Sequence, residues 1–332
     1  METSLSKEFK IQTVKKVFEK KLSEQLQLHK VSSPLMVMDG TGINDDLNGT
    51  ERPVRFAVKA MNDDPAVVVH SLAKWKRIRL QEYKIPIGQG ILTDMHALRP
   101  DEDYSPIHSI FVDQWDWEKH IDKNDRSLDY LKYTVKQIFK ALKQTEKKLV
   151  RKGVISEILL PKKIKFIQSE ELLQRYPSLS PKEREHKIAE EFGAVFIIGI
   201  GSKLSTGDPH DGRAADYDDW STTTKKGTGL NGDLLVWHPI LGQSLELSSM
   251  GIRVDKKALE KQLLLKEEQY KSVFTYHQKI LKEELPFSIG GGIGQSRVCL
   301  FFLQKQHIGE VQSSVWSNDI KEELKEKGIQ LI

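Results

Sequence analysis

Cysteine is nearly absent: Cys299 is the only one in 332 residues. No intramolecular disulfide can form, and a zinc centre built on several thiolates is excluded. The lack of a disulfide framework fits a reducing compartment. Long apolar runs are missing too. No stretch approaches the roughly 18 uninterrupted apolar residues of a membrane span, so none is expected. Residues 1–28 interleave Lys with Glu and hold no apolar core, which argues against a secretory leader. The expected location is the cytoplasm. Neither sign of charge prevails: 51 Lys and Arg face 47 Asp and Glu, a net charge of +4. A strongly basic nucleic-acid coat is not indicated, and no nucleic-acid partner is expected. With 38% hydrophobic residues the chain has the apolar content of a globular protein rather than a disordered one.

Several catalytic signatures are also missing. There is no H-x-x-x-H pair, no G-x-S-x-G elbow and no Gly-Lys-Ser/Thr phosphate loop. What is present is a series of short elements. Apolar spacing predicts a helix over 6–29, with Phe9, Val14, Val17, Phe18, Leu22, Leu26 and Leu28 mostly on one face. Strands are expected over 35–38, 54–59, 66–69, 107–112 and 163–167. A basic helix is expected over 72–81, a Lys-rich one over 127–151 and a short one over 169–175. Ser180-Pro181-Lys182-Glu183 reads as a helix start, with Ser180 as cap, Pro181 first and Glu183 closing the capping box. That helix yields at Gly193 to an apolar run over 194–200, read as a central strand. Strands over 234–237 and 244–248 follow, then helices over 255–268 and 273–285 and a glycine-rich strand-to-helix passage over 286–297. Strands that do not alternate regularly with helices predict an α+β fold, a mostly antiparallel central sheet flanked by helices. Residues 1–332 read as one domain.

Five clusters can carry chemistry. Gly290-Gly291-Gly292-Ile293-Gly294-Gln295-Ser296-Arg297 lets backbone approach a nucleotide closely, although the G-x-G-x-x-G spacing fails. The bland alternative is a tight strand–helix junction with a surface Arg. Arg99-Pro100-Asp101-Glu102-Asp103 precedes Val112-Asp113-Gln114-Trp115-Asp116-Trp117-Glu118, as two strands joined by a charged loop. An Arg at such a loop base can pair with phosphate or carboxylate, and Gln114 and Asp116 share a strand face. Asn231-Gly232-Asp233 with Glu246-Leu247-Ser248-Ser249-Met250-Gly251-Ile252-Arg253 offers oxygens suited to Mg²⁺ at Asp233, Glu246 and Ser249, and a phosphate partner in Arg253. A hairpin with a polar outer face would look the same. Ser71-Leu72-Ala73-Lys74-Trp75-Lys76-Arg77 reads, on its own, as a solvated helix face. The run from His210 through Asp211, Arg213, Asp216, Asp218 and Asp219 to Trp220 can bind an ammonium group or a metal, or form an exposed acidic loop.

The second, third and first clusters occur in the chain order of the catalytic domains of class II aminoacyl-tRNA synthetases, which they resemble. Longer stretches are similar to the ammonia-dependent asparagine synthetases, the aspartate–ammonia ligase family. They are Asp39-Gly40-Thr41, Val69-His70-Ser71-Leu72-Ala73-Lys74-Trp75-Lys76-Arg77, Asp113-Gln114-Trp115-Asp116-Trp117, Asp216-Tyr217-Asp218-Asp219-Trp220-Ser221 and the 246–253 segment. The resemblance runs from about residue 5 to 330. It implies a class II synthetase-like catalytic domain, a homodimer formed through the helix near 6–29, and a Mg²⁺-assisted reaction of L-aspartate, ATP and ammonia.

By that resemblance the side-chain carboxylate of aspartate attacks ATP to give β-aspartyl adenylate, and ammonia then displaces AMP. Arg99 would serve the α-phosphate and the attacking carboxylate, and Arg297 the outer phosphates or the adenine. Arg253, Gly290, Gly292 and Gly294 would complete the ATP site. Glu246, with Asp233 and Ser249 near, would hold the metal. Lys76 would bind the α-carboxylate of aspartate, and Asp45, Gln114 and Asp116 its α-ammonium. Asp46 stands as an alternative to Asp45. Ser71, Ser248 and Arg213 would line the same pocket, and Asp218 or Asp219 would take ammonium and accept its proton. Two rivals remain at this level: a truncated aspartyl- or asparaginyl-tRNA synthetase, and a non-catalytic synthetase-like regulator that binds RNA.

Overall fold

The computed structural model describes residues 4–45 and 51–332. Helix α1 (Ser4–Leu26) opens the chain and stops at Gln27, whose φ of 60° is left-handed. Residues beyond it cannot continue the helix, and β1 (Leu28–Lys30) forms where the sequence predicts a last helical turn. A separate three-stranded sheet follows from β2 (Met36–Met38), β3 (Arg55–Val58) and β4 (Asp64–Val68). Then come α2 (Ala73–Glu82) and the long strands β5 (Gly90–Leu98) and β6 (Phe111–His120). The strand expected over 107–112 starts only at Phe111, because Ser105 and His108 close a turn before it.

Helix α3 (Leu128–Arg151) is capped by the Ser127 hydroxyl, and β7 (Lys165–Gln168) runs into α4 (Ser169–Arg175). Helix α5 (Pro181–Phe192) has the expected capping box between Ser180 and Glu183. Next are β8 (Ala194–Ile198), the two-residue strands β9 (Thr223–Thr224) and β10 (Gly227–Thr228), and the hairpin β11 (Asn231–His238) and β12 (Gln243–Ile252). Helices α6 (Lys256–Leu265) and α7 (Thr275–Leu281) are shorter than their apolar spacing suggests, with a 3₁₀ turn between them. The chain closes with β13 (Ser288–Gly294), α8 (Gln295–Phe302) and α9 (Asn318–Glu326).

Eight strands form the main sheet in the order β1-β5-β6-β13-β12-β11-β8-β7. The interior pairings are antiparallel, and only the two edge strands, β1 and β7, pair in parallel. The 194–200 run is therefore not central: β8 lies next to the edge. It is apolar throughout because both its faces are covered. Phe196 and Ile198 enter the main core, while Val195 and Ile197 pack with Ile188 of α5.

The same alternation sets the site. Trp115 and Trp117 of β6 are buried in the core with Val14, Phe18 and Leu22 of α1 and Leu131 and Ile138 of α3. Their neighbours Gln114, Asp116 and Glu118 must then point to the opposite face. Phe9, expected on the apolar face of α1, is two-thirds exposed (66%), as is Leu5. No helix among the described residues is long and apolar enough to cross a membrane.

Candidate functional site

The sheet face opposite the tryptophans floors a cavity of about 480 Å³. Strand β13 crosses its centre between β6 and β12. Its glycines do not form a phosphate-cradling turn; they clear space. A Cβ on Gly292 would stand 2.2 Å from the Gln114 Oε1 and 2.7 Å from the Asp116 Oδ1. A Cβ on Gly290 would stand 1.9 Å from the Glu118 Oε2. Side chains from β6 thus lie across bare backbone of β13. Gly292 and Gly294 border the cavity, whereas Gly290 does not. The expected ATP contact at Gly290 is replaced by close packing under Glu118 and Arg253.

Arg99 enters from the end of β5 and Arg297 from the first turn of α8, and both line the cavity. The Arg99 side chain is lightly held. Among the described residues its Nη2 reaches the His70 carbonyl at 3.5 Å, and its buried Nε has no hydrogen-bond partner. Arg297 donates from Nη1 to the Glu246 carbonyl at 3.0 Å, with the Glu246 carboxylate 4.0 Å away. Between them His108 has its pKa pushed down to about 3 by burial and by the positive field of Arg297, Lys182 and Arg99. Its imidazole is neutral.

The basic segment in α2 is not a solvated face. Lys74, Lys76 and Arg77 are all fully buried. Lys74 donates to the Asp216 carboxylate at 2.7 Å, and Arg77 to the carbonyls of Pro286 and Val254. Lys76 lines the cavity, with its ammonium 2.9 Å from both the Asp116 Oδ2 and the Gly291 carbonyl. Burial lowers the Lys76 pKa against the opposing pull of Asp116. Among the described residues the buried Asp116 Oδ1 has no hydrogen-bond partner. Ser71 donates to the Asp45 carboxylate at 2.8 Å, and Ser248 to the Gly292 carbonyl at 2.9 Å, all at the same wall. Asp46, the alternative to Asp45, lies outside the described residues.

Of the run of aspartates Asp211 is exposed, whereas Asp216, Asp218 and Asp219 are buried, and these part company. Asp218 lines the cavity, bonded to the Nη1 of Arg253, with the Nε of Arg213 at 3.8 Å. Burial raises its pKa in spite of both arginines. Asp219 turns away. It pairs with Arg126 at 2.7 Å and accepts from Ser221, Thr222 and the Thr222 hydroxyl, which folds the turn behind the site. It does not border the cavity; of the two aspartates expected to take ammonium, Asp218 lines it and Asp219 does not. Arg253 is also not a loose phosphate ligand. Its Nε donates to both Glu118 oxygens, its Nη2 to the Glu118 Oε2 at 2.8 Å and its Nη1 to Asp218.

The three expected metal ligands separate likewise. Asp233 is outside the cavity wall and is held by Arg213 at 2.5 Å. Burial, opposed by Arg213 and reinforced by Glu246, pushes its pKa up to about 7. Glu246 and Ser249 both line the cavity. Residues three apart in a regular strand face opposite ways, but the β11–β12 register slips: Leu234 pairs with Ser248 and Leu235 with Glu246. Leu247 is the extra residue of a bulge that brings Glu246 and Ser249 to one face. Among the described residues no three His, Cys, Asp or Glu side chains cluster as a metal cage. The Glu246 carboxylate beside the Ser249 hydroxyl, with Arg297 4.0 Å away, fits Mg²⁺, which usually keeps water and phosphate ligands.

Glu118 went without a role in the sequence reading. Its signal was available: it continues the alternate positions of Gln114 and Asp116.

Residues 5–328 match the family model described as aspartate-ammonia ligase. An aspartate–ammonia ligase of Parabacteroides distasonis is 52% identical over 326 residues, covering 98% of this chain and 94% of that protein. One from Clostridium perfringens strain 13 is 53% identical over 325 residues, with the same coverage. Among solved structures, asparaginyl-tRNA synthetase of Pyrococcus horikoshii complexed with asparaginyl-adenylate superposes with a TM-score of 0.65 at 16% identity. The match covers 92% of this chain and 68% of that one. The Entamoeba histolytica enzyme, also with asparaginyl-adenylate, gives 0.65 at 14% identity over 93% of this chain and 66% of that one. At these identities the structures speak for the fold, that of class II synthetase catalytic domains.

Proposed function

The chain belongs to the aspartate–ammonia ligase family, and from that membership and the cavity we propose that it makes L-asparagine from L-aspartate, ATP and ammonia. One observation carries the residue roles: two arginines, a buried Lys–Asp pair and a buried aspartate converge on a single cavity. A carboxylate is a poor electrophile, so the reaction begins by making it a better one. The β-carboxylate of aspartate attacks the α-phosphorus of ATP, forming β-aspartyl adenylate and releasing pyrophosphate. The nitrogen of ammonia then attacks the acyl carbon, the acyl–oxygen bond breaks, and AMP leaves as asparagine forms.

The first step brings anions together. Arg99, lightly held among the described residues, neutralises the α-phosphate and the approaching carboxylate, and Arg297 meets the outer phosphates. Preorganised charge of this kind is usually the largest catalytic contribution. Glu246 and Ser249 would hold Mg²⁺ on those phosphates, where the ion supplies charge neutralisation. Asp233, committed to Arg213, is left out of that set. Lys76 takes the α-carboxylate, and the unpartnered oxygen of Asp116, with Gln114 and Asp45 beside it, takes the α-ammonium. Ser71, Ser248 and Arg213 complete the wall. In the second step Asp218 binds ammonium and accepts the proton that it must lose before its nitrogen can attack; the proton released as the amide forms passes to solvent. A homodimer formed through α1 is part of the same reading, and the exposed Leu5 and Phe9 support it.

The test is an assay with aspartate, ATP, Mg²⁺ and ammonium and no tRNA. Asparagine and AMP formed in equal amounts support the proposal. Formation of ADP, or a requirement for tRNA, overturns it.

A further inference from the structure

A row of alternating charges starts behind the cavity wall, passes through it and ends behind it: Glu118, Arg253, Asp218, Arg213, Asp233. Four of its five members have roles or exclusions above. Glu118 has neither, although it is completely buried and is bound by Ser288 and Arg253. Its Oε1 accepts from the Ser288 hydroxyl at 2.7 Å and from the Arg253 Nε at 3.0 Å, and its Oε2 accepts from the Arg253 Nη2 at 2.8 Å. This is the two-pronged carboxylate–guanidinium geometry, which fixes orientation as well as charge. It consumes one edge of the Arg253 plane, so the remaining Nη1 can point only one way, and there it meets Asp218. The absence of a side chain at Gly290 is what admits the pair, since a Cβ there would also stand 2.6 Å from the Arg253 Nη2.

We propose that Glu118 is a positioning residue: by clamping Arg253 from behind it holds the Asp218 carboxylate at the cavity wall, in place for ammonium. Glu118 does not border the cavity and touches no substrate. The groups facing Asp218 are Arg253 from the end of β12, Arg213 from the loop before it, and, one layer back, Glu118 of β6. Without the Glu118 charge, Arg253 has one carboxylate left to neutralise it and draws Asp218 out of line. A misplacement of about 1 Å at a reacting group can cost on the order of 100-fold in rate. The effect falls on the ammonia step, because the adenylation step uses Arg99 and Arg297 at the opposite end of β13 from Arg253.

The inference rests on the reading of Asp218 as the ammonium-binding acid, so the experiment separates the two. Glu118→Gln is compared with the parent in aspartate-dependent ATP–pyrophosphate exchange, which needs no ammonia, and in asparagine formation against ammonium concentration. The expected result is exchange within about threefold of the parent, with asparagine formation down on the order of 10–100-fold at fixed ammonium and a raised ammonium KM. Equal loss in both assays, or loss in neither, overturns the proposal. If Glu118→Gln does not fold, Ser288→Ala removes one of the Glu118 bonds without stranding a charge. It is expected to raise the ammonium KM with exchange retained, and an unchanged ammonium KM overturns the proposal. Asp218→Asn tests the underlying reading. Full asparagine formation by that variant overturns the reading. Loss of it, beside an unaffected Glu118→Gln, overturns only the positioning role.

Discussion

The Lys76 ammonium and the Asp116 carboxylate meet 2.9 Å apart with both side chains all but removed from solvent. Lys76 comes from a helix and Asp116 from the sheet, so the pair joins the two layers at the substrate wall. A buried pair of this kind is costly to break from one side. Lys76→Ala would leave Asp116 charged and alone, and such changes cost about 3–5 kcal/mol. Urea unfolding should show the loss as a lower midpoint. Aspartate binding by the remaining folded protein, followed by calorimetry, should fall with it.

The two cavity arginines make a kinetic prediction. Arg99→Ala and Arg297→Ala should each slow aspartate-dependent pyrophosphate exchange by about 10²–10³. Thermal stability should change little, because neither side chain is fully buried and, among the described residues, Arg99 has one weak bond to lose. Near-normal exchange in Arg99→Ala would remove the central assignment.

Gly292→Ala should act by space alone. The added methyl collides with Gln114 and Asp116. Overpacking of this sort costs about 1–3 kcal/mol, and here it displaces the two side chains proposed to receive the aspartate ammonium. The variant should melt at lower temperature and bind aspartate weakly, while its circular dichroism stays that of the parent.

His108 gives a pH dependence with a definite sign. In the folded protein it stays neutral down to about pH 3, whereas in the unfolded chain it gains a proton near the ordinary value of 6.5. Between those limits the unfolded state binds more protons, so this residue makes stability fall as pH drops from 6.5 toward 3. His108→Gln should flatten that part of the urea-midpoint profile. An identical profile in the variant would show that the imbalance lies elsewhere.

Much of the fold was legible from local signals. The Ser180 capping box is made of bonds between near neighbours, and it forms where the spacing predicts. Alternation along 114–118 correctly put Gln114 and Asp116 on one face. Elements misjudged were those decided by distant contacts. The 194–200 run looks central because it is apolar, yet a strand beside the edge is equally apolar when helices cover both faces. Lys74, Lys76 and Arg77 look solvated because their acceptors, Asp216, Asp116 and the carbonyls of 254 and 286, lie far away in sequence. Nor could spacing distinguish Asp218 from Asp219, since their separation depends on Arg126 reaching one and Arg253 the other. The bulge at Leu247 is a similar case: it reverses facing within a strand and leaves no local mark.

Strand β13 supplies the middle of the cavity floor with backbone and almost nothing else. The chemistry above it is lent by β6 on one side and β12 on the other. Substrate preference in this architecture can therefore be rewritten from two flanking strands, with the bare one between them left untouched. A library that varies 114 and 248 while fixing 116, 290 and 292 would sample new acids without dismantling the platform they rest on.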